Sequence, residues 1–152
     1  MIGLTFICAG RVKEPYFRDA AAEYVKRLGA YRETRVIEFP EELGDTQSAL
    51  KREAERITAL IPRGAHVIAL CVEGREMSSE ELAAGLERVA RTKSEIAVLI
   101  GSSNGLHDTV KALADERLSM SRMTLPHSLA RVVALEQFYR AYSISAGGKY
   151  HK

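Results

Sequence analysis

The chain has 152 residues, 46% of them hydrophobic and 28% charged, with a formal net charge of +2. A chain of this length buries roughly 70% of the surface its unfolded form exposes, so one compact domain is expected and general disorder is excluded. No 18-residue uncharged run is present to span a bilayer, and Met1-Ile2-Gly3-Leu4-Thr5-Phe6-Ile7 lacks the basic stretch of a secretion signal; a cytoplasmic, non-membrane protein is the expectation.

Ile2 to Ala9 is an apolar, β-branched run ended by Gly10 and reads as a buried strand. Pro15 opens a helix to about Leu28, with Phe17, Ala21, Tyr24, Val25 and Leu28 on one face, stopped by Gly29. Arg35 to Phe39 is a second strand, ended by Pro40. Asp45 is placed to cap a helix from Thr46 to Ile61 whose stripe is Leu50, Ala54, Ile57 and Leu60 or Ile61. Ala65 to Val72 is a third strand, after which Glu73-Gly74 turns the chain. Ser78 or Ser79 caps a helix to about Arg91, with Glu80 or Glu81 near the capping-box position. Glu95 to Ile100 is a buried strand followed by Gly101-Ser102-Ser103-Asn104-Gly105. A helix of roughly His107 to Glu116 comes next, then a short strand-like segment, Leu118 to Leu125. Pro126 precedes a long helix, about Ser128 to Ser145, and Ala146 to Lys152 is a tail.

Strands apolar on both faces that alternate with helices indicate a mainly parallel α/β sheet. That architecture places ligands at the carboxyl ends of strands. Three segments occupy such ends: Cys71 to Gly74, Gly101 to Gly105, and the lead-in to Pro126.

Charge is unevenly spread. An acidic stretch runs from Glu38 to Glu42, whereas Arg122, Arg131, Arg140, Lys149 and Lys152 face a single acid, Glu136, in the last part of the chain. Solvated surface charge and an anion-facing region are both open readings. Cys8 and Cys71 lie in apolar runs, and His66, His107, His127 and His151 show no ligand spacing, so buried reduced thiols and no metal are expected.

The glycine-flanked loop Gly101 to Gly105 lets a ligand approach the backbone, but neither the dinucleotide nor the phosphate-loop fingerprint is present. An ordinary tight turn and a loop for a smaller adenosine ligand both fit. In Met120-Ser121-Arg122-Met123-Thr124-Leu125-Pro126-His127, the proline imposes extended geometry on what precedes it. Extended peptide groups can bond an adenine edge while Met and Leu cover its faces; a plain lead-in with Ser128 as the cap fits equally. His127 and Arg131 share a helix face if the helix starts at Pro126. Glu136 and Arg140 are spaced as an i,i+4 pair. Gly147-Gly148 is a hinge before Tyr150-His151-Lys152, which offers a ring, an imidazole and a cation, or else frays.

Taken together, Ile100-Gly101-Ser102-Ser103-Asn104-Gly105-Leu106, Met123-Thr124-Leu125-Pro126-His127, Arg131, Glu136-Gln137-x-Tyr139-Arg140-Ala141 and the terminal Tyr150-His151-Lys152 resemble the ribosomal RNA large subunit methyltransferase H family over essentially the whole chain. The resemblance implies a single SPOUT methyltransferase domain over residues 1–152, a mainly parallel α/β sheet with a C-terminal trefoil knot, the knot and cofactor region spanning about 65–152. It implies transfer of a methyl group from S-adenosylmethionine to N3 of a pseudouridine in large-subunit ribosomal RNA in the ribosome, by a homodimer.

By position, the resemblance assigns cofactor binding to Leu70, Gly101, Met120, Ser121, Arg122, Met123, Thr124 and Leu125. RNA contact falls to Arg131, Arg140, Tyr150, His151 and Lys152, the tail completing the partner's site. His127, Arg131 and His151 are the catalytic candidates. Many relatives carry a second glycine where this chain has Ser102; either that position needs positive φ and Ser102 is strained by about 1 kcal/mol or more, or it tolerates a small side chain. A methyl sulfonium needs an in-line nucleophile and no metal, and the N3 proton needs an acceptor. His127 and His151 are the candidates, because imidazole titrates nearest neutral pH.

Overall fold

A computed structural model describes residues 3–152; the expected start of the first strand at Ile2 lies outside the described residues. Five strands, β1 (Gly3–Ala9), β2 (Glu33–Phe39), β3 (His66–Glu76), β4 (Glu95–Ile100) and β5 (Glu116–Ser119), form one sheet in the order β2-β1-β4-β3-β5. Every pairing is parallel. The helices are α1 (Pro15–Leu28), α2 (Thr46–Leu60), α3 (Ser79–Ala90), α4 (Asp108–Leu113) and α5 (His127–Ser145).

The alternation of side chains along a strand divides the core in two. Leu4, Phe6 and Cys8 of β1 and Ile96, Val98 and Ile100 of β4 face one side, where Leu82 and Leu86 of α3 and Leu135 and Phe138 of α5 cover them. Ile7 and Ala9, with Ala97 and Leu99, face the other side against Ala54 and Ile57 of α2 and Val110 of α4. Both faces are therefore dry, which is why these strands read as continuous apolar runs. The Phe6 and Phe138 rings meet edge to face at 5.4 Å between centroids, tying the first strand to the last helix.

Local chemistry sets most boundaries as expected. Pro15 starts α1, the Asp45 carboxylate accepts the Ser48 N–H at 3.1 Å, and Ser78 with Glu81 closes a capping box on α3. Four expectations need correction. The chain does not turn at Glu73-Gly74: β3 runs on to Glu76, with an irregularity that sets both Leu70 and Arg75 opposite Leu118. Gly74 permits this crossing, since a Cβ there would stand 2.7 Å from the Leu118 carbonyl carbon. Helix α4 ends at Leu113 because Ala114 is extended, and Asp115 locks onto β3 by accepting the Val67 N–H at 2.7 Å and donating its own to the Val67 carbonyl at 2.9 Å.

Strand β5 stops at Ser119, so Met120 to Leu125 is a loop beyond the sheet and not strand. Helix α5 begins at His127 with Pro126 as its N-cap, and Ser128 is buried in its first turn where no cap role is open to it. Among the described residues no helix is long and apolar enough to cross a membrane.

Two glycine substitutions should separate the crossing from an ordinary helix position. Gly74→Ala should lower stability to urea by roughly 1–3 kcal/mol, since backbone cannot move aside as a side chain can. Gly85→Ala inside α3 meets only the Arg88 Nη2 tip at 3.6 Å and should raise it by about 0.5–1 kcal/mol.

Candidate active site

The three carboxyl-end segments converge. A cleft of about 360 Å³ is lined by Leu70 to Glu73 at the irregularity within β3, Ile100 to Leu106 after β4, Met120, Ser121 and Met123 to Leu125 after β5, and Lys111, His127 and Ala130. Its size suits a small organic ligand.

The β4–α4 loop is a closed turn. The Gly105 N–H donates to the Ser102 carbonyl at 2.9 Å, and the two residues form an isolated antiparallel bridge. Gly101 has no room for a side chain, because a Cβ would fall 2.3 Å from the Gly105 oxygen. The left-handed position is Gly105, φ +82°, and no non-glycine residue has positive φ among the described residues. The strain expected at Ser102 is therefore absent. Its buried hydroxyl instead donates to Glu53 Oε1 at 2.9 Å.

The segment after β5 is arranged by its own hydroxyls. Ser119 Oγ donates to the Ser121 carbonyl at 3.1 Å, and Ser121 Oγ accepts the Met123 N–H at 3.0 Å. Among the described residues, no hydrogen bond within the chain engages the peptide groups of Arg122, Thr124 or Leu125. Unengaged peptide groups beside Leu70, Met120 and Leu125 match the needs of an adenine ring, edge and face. Met123 stands at the rim, 79% exposed. The Arg122 side chain leaves the cleft: it is 88% exposed and reaches Glu76 at 3.4 Å, so only its peptide belongs to the lining segment.

On the opposite wall Lys111 Nζ meets Glu73 Oε1 at 2.6 Å. The ammonium's hydrogen bond holds the Glu73 carboxyl below the usual carboxylate range. Sequence reading missed this pair, because neither residue has a motif around it.

His127 opens α5 at the cleft, its ring beside Gly10, where a Cβ would lie 3.6 Å from Nε2. Arg131, one turn on, is 2% exposed. Its Nη1 pairs with Glu38 and its Nη2 donates to the Gly10 carbonyl at 2.7 Å. The guanidinium thus ties α5 to the ends of β1 and β2, and its buried position contradicts the expectation that it faces RNA phosphates.

The remaining candidates gather elsewhere. Arg140 forks onto Glu136 at 2.9 and 3.2 Å, and this raises its pKa. The chain reverses at Gly147, φ +74°, and Gly148, whose N–H donates to the Ser143 carbonyl. Tyr150 then packs against Tyr139 at 4.8 Å, with the Arg140 guanidinium 4.7 Å from its ring centre. Burial pushes the Tyr150 phenol up to about 12. His151 contacts Arg140 Nη1 at 3.1 Å and Glu80 at 2.5 Å, while Lys152 is exposed. The tail is docked and does not fray.

An open α/β sheet with a glycine-closed cleft at its carboxyl ends defines a class, and comparison with known proteins fixes it. The family model described as "Predicted SPOUT methyltransferase" matches residues 2–151. The fold is shared with a probable methylase family protein from Haemophilus influenzae Rd KW20 (TM-score 0.57, 17% identity, 98% of this chain and 70% of that one). It is shared too with TrmJ from Z. mobilis ZM4 (TM-score 0.55, 16% identity, 93% and 70%). The chain belongs to the SPOUT methyltransferase family and is an enzyme whose methyl donor is S-adenosylmethionine.

Among curated relatives it is 45% identical over 159 aligned residues to proteins named ribosomal RNA large subunit methyltransferase H from Bacillus thuringiensis (strain Al Hakam) and Bacillus anthracis. The match covers 99% of this chain and 100% of those proteins.

Two measurements check the site's electrostatics. Arg131→Ala should lower stability to urea by about 2–4 kcal/mol, because it leaves Glu38 and the Gly10 carbonyl without their donor; unchanged stability with weaker RNA binding would restore the phosphate reading. Burial pushes the Cys8 thiol up to about 12, and Cys71 is raised less. Thiol reagent at pH 8 should therefore modify Cys71 first and leave Cys8 unmodified until the protein unfolds.

Proposed function

We propose that this protein methylates N3 of a pseudouridine in large-subunit (23S) ribosomal RNA, on the assembled ribosome, as a cytoplasmic homodimer. The observation that carries the reading is the match to the ribosomal RNA large subunit methyltransferase H proteins, which runs end to end in both partners and includes the whole cleft. Residues 1–152 act as one SPOUT domain, with the knot and cofactor region at about 65–152.

When bound, S-adenosylmethionine supplies an electrophilic methyl group. Leu70, Met120, Met123 and Leu125 provide the apolar walls, Gly101 gives its backbone to close approach, and Ser121, Arg122 and Thr124 offer peptide groups or hydroxyls for orientation. His127 lies at the cleft and takes the N3 proton as the nitrogen becomes nucleophilic. Arg140, Tyr150, His151 and Lys152 contact RNA.

Arg140 stands thirteen residues along α5 from His127, about 20 Å at 1.5 Å per residue. The tail docked on Arg140 is therefore too far to close its own cleft. In the dimer it completes the partner's, so His151 acts on RNA held against the other subunit.

The test is transfer of labelled methyl from S-adenosylmethionine to ribosomes from cells lacking this protein, with free ribosomal RNA and transfer RNA alongside. Label at one pseudouridine of large-subunit RNA, in ribosomes alone, is expected; label in transfer RNA or in nothing would reject the assignment. His127→Ala should lower turnover roughly 10²–10⁴-fold and His151→Ala should also reduce it, both with cofactor binding retained. Unchanged turnover in both variants would remove the histidine base.

A further inference from the structure

Helix α2 carries an acid on its buried face. Leu50, Ala54 and Ile57 pack inward, and Glu53 shares their face at 2% exposure. Its Oε1 accepts the Ser102 hydroxyl at 2.9 Å and its Oε2 accepts the Glu42 N–H at 2.9 Å. Among the described residues no lysine, arginine or histidine nitrogen lies within 4.0 Å of it. A buried carboxylate served only by neutral donors is costly, and an apolar side chain of similar volume would pack α2 at least as well.

Neither hydrogen bond serves α2 itself. One holds the connection between β2 and α2; the other holds the turn after β4. That turn has little other freedom, because Gly101 is pressed against Gly105 and the Ser102 carbonyl is committed to the Gly105 N–H. The hydroxyl side of Ser102 is the open variable, and Glu53 fixes it. A second hydroxyl is caught from the same acidic connection, Ser103 Oγ donating to Glu41 Oε1 at 2.6 Å.

We infer that Glu53 is a positioning residue for methyl transfer: through Ser102 it holds the Gly101–Gly105 turn in the form that receives S-adenosylmethionine. Its carboxylate acts as a brace beneath the cofactor loop, touching neither cofactor nor RNA. This rests on the assignment of the cleft to the cofactor.

The Ser102 hydroxyl can donate or accept, so Glu53→Gln can keep both contacts: its oxygen accepts from Glu42 and its amide donates to Ser102. Ser102→Ala cannot. A double variant, Glu53→Leu with Ser102→Ala, removes both partners of the buried bond and leaves only the half-buried Glu42 N–H to pair with water.

The experiment titrates S-adenosylmethionine calorimetrically into the full-length parent and the three variants, with thermal unfolding and ribosome methylation kinetics alongside. Ser102→Ala should weaken cofactor binding roughly tenfold, with the loss falling on the cofactor KM more than on kcat, while Glu53→Gln stays within about threefold. The double variant should unfold at a higher midpoint than Ser102→Ala without regaining affinity.

Binding by Ser102→Ala within about twofold of the parent would overturn the inference. So would a double variant that recovers affinity together with stability, which would make the tie structural only. If the double variant does not fold, the Ser102→Ala titration decides alone. A parent that binds no cofactor would instead overturn the cleft assignment, and the brace with it.

Discussion

The first turn of α5 is pinned where β1 and β2 end, and the site is arranged around that pin. Arg131 reaches from the helix to the Gly10 carbonyl and to Glu38, so one cation satisfies a strand terminus, an acid of the neighbouring strand and the start of a nineteen-residue helix. His127 sits one turn back from Arg131, and that single turn holds its ring beside Gly10 at the cleft. A guanidinium suits the task because it stays charged and offers several donors in a fixed fork. Its burial is tolerated because Glu38 keeps a side open to solvent.

The rest of the cleft is built from backbone more than from charge. Two loops shape it, one closed by glycines and one folded on serine hydroxyls, and both leave main chain facing the opening. Charged groups stand at its edge, where Lys111 and Glu73 neutralise one another. Such a surface fits a ligand with an apolar ring and many hydrogen-bonding edges. It also explains why neither phosphate-binding fingerprint is present in a protein that uses an adenosine cofactor.

How far this could be read from the residues depends on what each signal measures. Apolar runs such as Phe6 to Ala9 and Ile96 to Ile100 announced buried parallel strands because both of their faces are covered. Cap chemistry at Asp45, Ser78 and Pro15 placed three helix starts, since those bonds are local. The Gly101–Gly105 loop was legible for the same reason, whereas Cys71 to Gly74 proved to be strand and Met120 to Leu125 loop. Periodicity could not show that Gly74 crosses β5, because the clash it avoids comes from Leu118, 44 residues away. Arg131 read as an RNA-facing cation or as solvated charge because the partners it finds lie at the ends of β1 and β2. Glu53 did carry a sign: it interrupts the Leu50, Ala54, Ile57 face of an otherwise regular amphipathic helix, and an acid there asks for a donor that only the folded chain supplies.

The pairing of Phe6 with Phe138 bears on how the chain reaches this state. Strand β1, paired on both sides by β2 and β4, is made early, and its cover on one face is a helix that begins 118 residues after the strand ends. Until α5 docks, Leu4, Phe6 and Cys8 lack much of their lid, and the cleft lacks the wall that carries His127. Loop closure over such separations is slow relative to helix and hairpin formation. Contacts of such separation favour late assembly of the cleft end, so that a partly folded chain presents an apolar sheet face before it presents a closed cleft.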